Sequence, residues 1–292
     1  GDDDGIMLDE ALTCMSDARR DEVDAVMSPV LNYIWPDLDH RLISDYGGKL
    51  YIQPIKGKTT SNDFHALGRK VVGRGGALGL GDLPCVYHGF ISRVALTQLF
   101  TLAGSHFPGA SPDMANAIGL CAVVKRLRRT HEVLVITGHS IRSTAGAGTQ
   151  RKHHGPISDQ PHLPRDTAEK WRHEVPFFWS GPTIYAQSLI SAQTRTHNPA
   201  LGKPKFACVY AACLIFHWEY RATISKAMRA SRVSRLVLYP QIFYFMLLIT
   251  LKRSQTLLTK LSSRFGNKQG TARKAGTIAG AIHVERNLPK LT

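Results

Sequence analysis

Three consecutive carboxylates, Asp2-Asp3-Asp4, stand between Gly1 and Gly5, and they exclude a hydrophobic strand or a buried turn at that point. Each ionised aspartate disfavours the charge of its neighbours unless a cation or a set of donors offsets the repulsion. A hard divalent ion such as Mg²⁺ or Mn²⁺ does this well, because it takes carboxylate oxygens and also bridges substrate phosphates. Gly5-Ile6-Met7-Leu8 leads into a helical pattern over 9–20. The triplet therefore belongs on a loop in front of a helix, where site residues concentrate. The competing reading is a solvated acidic terminus.

The chain starts at this acid cluster without an initiating Met, and the expectation is that a further segment precedes it. With 292 residues, 43% of them apolar, it can bury a substantial core, in one large domain or two modest ones. Five cysteines, at 14, 85, 121, 208 and 213, show no C-x-x-C spacing and sit in apolar runs. They read as reduced core thiols of a reducing compartment, and a zinc site built from them is not expected. The net charge of +15 is unevenly spread. Residues 1–50 hold 12 of the 22 acids, whereas residues 231–292 hold eleven Lys/Arg and one acid, Glu285. An acidic front and a basic tail follow, the tail suited to anionic lipid or nucleic acid.

The pattern predicts a strand over 24–33, at an edge or bulged because Pro29 interrupts it, and a second strand over 47–55. The glycine-rich stretch 69–82 is a loop but not a P-loop, since no Gly-Lys-Ser/Thr follows. A short strand is expected at 83–90, a helix at 92–103 and a helix over 115–127 opened by Ser111-Pro112-Asp113. A buried strand over 133–137 ends at Gly138-His139-Ser140. Residues 146–166 read as a loop or linker. Two apolar helices follow, at 206–219 and 236–251, and the last 30 residues look loosely structured.

Four features thus stand in order: Asp2-Asp3-Asp4, Tyr87-His88-Gly89, Ser111-Pro112-Asp113 and Gly138-His139-Ser140. Together with the stretches CVYHGFISRVAL, FPGASPDMANAIGL and VLVITGHSIRSTAGAG, they make residues 1–150 resemble the family 2 nucleotide-sugar glycosyltransferases of GT-A fold, most of all the bacterial surface-polysaccharide members. The family's "IPTYNR"-like strand and turn, which holds the nucleotide base, is absent from the sequence. The resemblance implies an α/β fold: a partial GT-A (Rossmann-like) sheet with flanking helices over 1–150, and a helical, basic extension over 151–292. It implies inverting transfer of a sugar from a nucleotide-diphosphate donor to a glycan or lipid-linked acceptor. Without the base-holding half, weak donor binding is expected.

The resemblance also implies residue roles. Asp4 would ligate Mg²⁺ or Mn²⁺ directly. Asp2 would contact the ion through water, or the ribose, and Asp3 would contact the donor. His139 would complete the ion's ligands with a neutral imidazole, and Gly89 would let backbone approach the diphosphate or acceptor. Asp113 would take the acceptor proton, although the second position of a helix lowers a carboxyl pKa through the dipole and makes a weaker base. Helix capping alone would also explain Asp113. Trp35 and Trp179 could stack on a sugar or pack in the core.

Two other classes are weighed. A nucleic-acid binder fits the basic charge, but it leaves the acidic triplet unexplained, and the tail lacks interleaved aromatics. A metal-dependent hydrolase would need more close His/Asp pairs than His153-His154. A non-catalytic remnant of the transferase stays open. The run Leu236 to Leu251, flanked by Arg232, Arg235, Lys252, Arg253, Lys260 and Arg264, spans roughly 24 Å as a helix, short of a ~30 Å bilayer core. It reads as an interfacial helix of 235–264 on the cytoplasmic face of an anionic membrane, or as a helix packed on the catalytic domain.

Overall fold

The computed structural model describes residues 3–38, 47–51, 64–143, 154–160, 163–264 and 272–287. It is a mixed α/β structure with two mixed sheets. The first part of the chain runs β1 (Gly5–Ile6), α1 (Leu8–Arg20), β2 (Ala25–Met27), β3 (Val30–Ile34), β4 (Lys49–Tyr51), α2 (Phe64–Val72), β5 (Gly89–Ile91), α3 (Arg93–Ala103), α4 (Pro112–Leu120), β6 (Leu127–Arg129) and β7 (Val135–His139). The second runs α5 (Gly181–Thr196), α6 (Ala207–Phe216), α7 (Arg221–Ala230), α8 (Arg235–Arg264), β8 (Ala272–Lys274) and α9 (Ile278–Arg286).

The strand expected over 24–33 is in fact two, one in each sheet. Proline offers no N–H to a ladder, so the pairing breaks at Ser28-Pro29. Upstream, β2 lies in the middle of the order β5-β2-β6; downstream, β3 lies in the middle of β1-β7-β3-β4-β8. Both halves are therefore central, not edge, strands. Ser28 secures the crossing point: its hydroxyl donates to the Pro29 carbonyl at 2.8 Å and accepts from Leu134 N at 2.9 Å. The pairs β3–β7 and β2–β6 are parallel, and the other strand pairs are antiparallel.

Other expectations shift for tertiary reasons. Residues 83–88 are irregular chain with a turn at 86–87, and only Gly89–Ile91 of this stretch is strand; Val86 N–H bonds to the Asn116 side chain at 3.2 Å and not to a neighbouring strand. The helix expected over 115–127 ends at Leu120. Beyond it the Asp24 carboxylate accepts from Lys125 N at 2.9 Å and Arg126 N at 3.0 Å, which draws the chain alongside β2 as β6. The described part of the tail beyond α8, 272–287, is ordered by pairing and packing, and the rest beyond that helix lies outside the described residues. β8 pairs with β4, the Tyr33 hydroxyl donates to the Gly276 carbonyl at 2.8 Å, and Ile278 of α9 comes within 3.1 Å of where a Gly5 side chain would begin.

Position 150 does not divide the packing. One core takes Leu67 and Val71 from α2, Leu99 from α3, Met114 and Ile118 from α4, and Leu189 and Ala192 from α5. A second core joins α6, whose residues Ala207 to Cys213 are all buried, to Leu238, Ile242 and Ile249 of α8. All five cysteines are free thiols, four of them buried.

Candidate functional site

The acidic head lies along β7. Register pairs Gly5 with Ile136 and Ile6 with Val135, so the chain before β1 runs over Thr137 and Gly138. Asp4 Oδ1 accepts from Gly138 N at 2.8 Å, and Ser140 Oγ donates to Asp3 Oδ2 at 3.1 Å. The Trp35 indole N–H donates to the Asp3 carbonyl at 3.1 Å. This closeness is why position 138 is glycine: a Cβ there would sit 1.7 Å from Asp3 O and 2.8 Å from the Trp35 indole nitrogen. His139 ends β7 opposite Ile34 of β3, and its Nε2 lies 3.2 Å from Asn32 Oδ1. An amide oxygen only accepts, so Nε2 carries the hydrogen and Nδ1 keeps the lone pair.

Asp113 is delivered by a different route. Residues 114–120 of α4 are all buried, so the helix is held on every side and presents only its first turn, Pro112-Asp113, toward the surface. Ser111 makes no side-chain cap; its backbone N–H donates to Ser188 Oγ of α5 at 2.7 Å. Asn116, fully buried, donates to the His106 carbonyl at 3.0 Å and accepts from Val86 N. One side chain of α4 thus ties the helix bearing Asp113 to the turn bearing His88.

These groups feel one another. Burial lowers the His88 pKa, against a pull upward from Asp113 and then Asp4. Burial also lowers the His139 pKa, against Asp3 and Asp4. Burial raises the Asp113 carboxyl, with His88 pulling it back. The shift differs in direction from the depressed pKa expected from the helix position: desolvation raises the Asp113 carboxyl, toward a better base. Tyr185, packed nearby on α5, is pushed up to about 12 by burial and then by Asp113.

Of the residues singled out from sequence, Asp3, Asp4 and His139 thus come together at the end of β7, Asp113 is linked to Asp4 only through the field at His88, and Asp2 lies outside the described residues. Gly89 has a structural reason of its own: a Cβ there would meet Val26 O at 2.0 Å, so its bare backbone serves the β2–β5 pairing. Trp179 is core, whereas Trp35 braces Asp3. Nothing in the sequence gives a role to His88 or points to Asn32 and Asn116; only the pairing register and the buried amide of α4 reveal them. By residue type, two carboxylates and an imidazole suit a divalent ion, but among the described residues their ligand atoms do not converge within 4.8 Å of one another as a metal cage would. Two described cavities, about 500 and 660 Å³, lie elsewhere, beside Ile157 and Phe178 and beside Ala110 and Gln187. No protein-family model, no curated protein and no solved structure matches the chain.

Proposed function

We propose that the chain carries the ion-holding and proton-handling part of an inverting, family 2-like glycosyltransferase with a GT-A-type fold. The observation that carries this reading is that Asp4 and Asp3 bond to Gly138 and Ser140 on either side of His139, while His88 feels the charge of both Asp4 and Asp113, across distant sequence blocks. The donor is a nucleotide-diphosphate sugar, and the acceptor is a glycan or lipid-linked hydroxyl. Asp4 and His139, with Asp3 beside them, would hold Mg²⁺ or Mn²⁺, which supplies Lewis-acid stabilisation of the diphosphate leaving group. Gly138 N–H and Ser140 Oγ keep the two carboxylates aimed. Asp113, made more basic by burial, accepts the acceptor proton as the new bond forms. His88, neutral at neutral pH, buffers the charge between Asp113 and Asp4. One positioned base serves a single displacement, so the anomeric configuration inverts.

The test is Mn²⁺-dependent release of nucleoside diphosphate from a panel of sugar nucleotides by the natural protein, with product configuration read by NMR. Inverted product is expected; retained configuration, or turnover indifferent to chelator, sinks the reading.

The same reading places the enzyme on the inner face of an anionic membrane through α8. Arg235–Ser254 is long and apolar enough by composition to cross a bilayer, yet Leu238, Ile242 and Ile249 pack inward. The opposite face exposes Leu236 by 88%, Phe243 by 71% and Tyr244 by 58%, apolar surface without a covering. That geometry favours a helix lying in the interface, with Arg232, Arg235 and Lys252 each adding on the order of 1 kcal/mol on anionic lipid. Flotation with vesicles should show binding that strengthens with anionic lipid and falls in Phe243→Glu. Equal binding to neutral vesicles would refute it.

A further inference from the structure

Away from that site, three metal-ligating side chains converge where the chain around residue 154 meets the end of α6. His154, His217 and Glu219 place one donor atom each within 4.8 Å of one another. His154 Nε2 lies 3.7 Å from Glu219 Oε1, His217 Nδ1 lies 3.8 Å from the same oxygen, and the two imidazole rings are 5.2 Å apart. We propose that His154, His217 and Glu219 form a zinc site.

The argument starts from His217. Its Nδ1 is buried and has no hydrogen-bond partner among the described residues, since 3.8 Å is too long for a bond to Glu219. A buried polar atom left unmatched costs about 1–3 kcal/mol, and most native ones have a partner. A metal ion would supply that partner. The chemistry of the set narrows the ion: two imidazoles and one carboxylate suit a first-row transition ion such as Zn²⁺, whereas Mg²⁺ prefers oxygen alone. Four donors at about 2.0–2.1 Å from zinc lie roughly 3.3 Å apart. The two histidine-to-glutamate separations need close by only about half an ångström, which the half-exposed Glu219 side chain can provide.

Backbone structure already holds the ligands. His154 precedes Gly155, which exchanges two hydrogen bonds with Trp179, at 3.0 and 2.7 Å. His217 closes α6, its N–H bonded to the Cys213 carbonyl at 2.8 Å, and its ring stands edge-on to Phe178 at 5.6 Å. The 3-10 turn Trp218–Tyr220 then carries Glu219 back toward both rings. Zinc bound here would pin the stretch 154–160 to the second core. It would also keep a fourth position for water, because only three protein ligands are present and Glu219 is 54% exposed. None of this depends on the transfer reaction proposed above.

The experiment is zinc titration of the metal-stripped protein against a chromophoric chelator, with Co²⁺ as a spectroscopic stand-in. It is run in wild type, His154→Ala, Glu219→Gln and the control His131→Ala, all in an Asp4→Asn background so that the other candidate ion site is silent. One zinc per chain, four- or five-coordinate Co²⁺ bands and a zinc-dependent rise in Tm are expected for the background and the His131 control. His154→Ala and Glu219→Gln should each weaken zinc by about 100-fold, since losing a mere outer-shell partner already costs 10–100-fold. His154 and Glu219 are both partly exposed, so these variants should fold, and circular dichroism checks that. Unchanged zinc affinity in both variants, purely octahedral Co²⁺ bands, or no stoichiometric zinc in the folded background protein would each overturn the proposal.

Discussion

Asp113→Asn should lower turnover by roughly 10²–10⁴-fold while leaving Mn²⁺ and donor binding in place. The change is isosteric and keeps a polar residue in the first turn of α4, but it removes the lone pair that would take the acceptor proton. Stability should move the other way. Burial raises the Asp113 carboxyl above its ordinary value, so its contribution to stability is fully present below the unfolded pKa and is lost as pH rises through the folded one. At neutral pH the charged side chain is a net cost that asparagine does not carry. The Tm of Asp113→Asn should therefore match or exceed wild type at pH 7, and the advantage should shrink as pH falls through the carboxyl range. A variant with near-normal turnover and a lower Tm would identify Asp113 as a cap and remove it from the chemistry. Wild-type turnover should also rise with pH through the raised carboxyl pKa, and that limb should vanish in the variant.

The second large effect is expected from a pair of changes that separate charge from shape. Asp4→Asn retains an oxygen able to accept from Gly138 N but loses the charge that would hold an ion. Mn²⁺ affinity, read by electron paramagnetic resonance, should fall by about 100-fold or more with little change in Tm. Gly138→Ala leaves every charge intact, yet its new methyl group would begin 1.7 Å from the Asp3 carbonyl. The acidic head must then lift from β7, at an overpacking cost of about 1–3 kcal/mol, and the ion should be lost together with stability. Unaltered Mn²⁺ affinity in folded Asp4→Asn would show that Asp4 anchors the loop through Gly138 alone.

The sequence alone determined the local features. Hydrophobic spacing placed α1 and α3, and Ser92 caps α3 as its position suggests, accepting from Ala95 N at 3.1 Å. It marked most of the cysteines as core residues, 206–219 as an apolar helix and Gly138-His139 as the end of a strand, because each of these depends on residues adjacent in the chain. The helix α5 was equally legible in principle: Ser180 and Thr183 form a reciprocal capping box around Pro182.

Only the tertiary structure decided the rest, because the deciding bonds join residues distant in sequence. Pro29 ends one ladder and starts another, but which sheets receive the two halves depends on β5, β6 and β7. Asp24 turns the end of a helical pattern into β6 through bonds a hundred residues away. The tail reads as loose by composition, yet Ile278 and Ile282 cover the apolar face around Met7 and Leu31 beneath the acidic head. The sign of the Asp113 shift belongs to the same class. Position in a helix is written in the sequence and predicts a lowered pKa, whereas burial is a property of everything packed around it, and burial raises it.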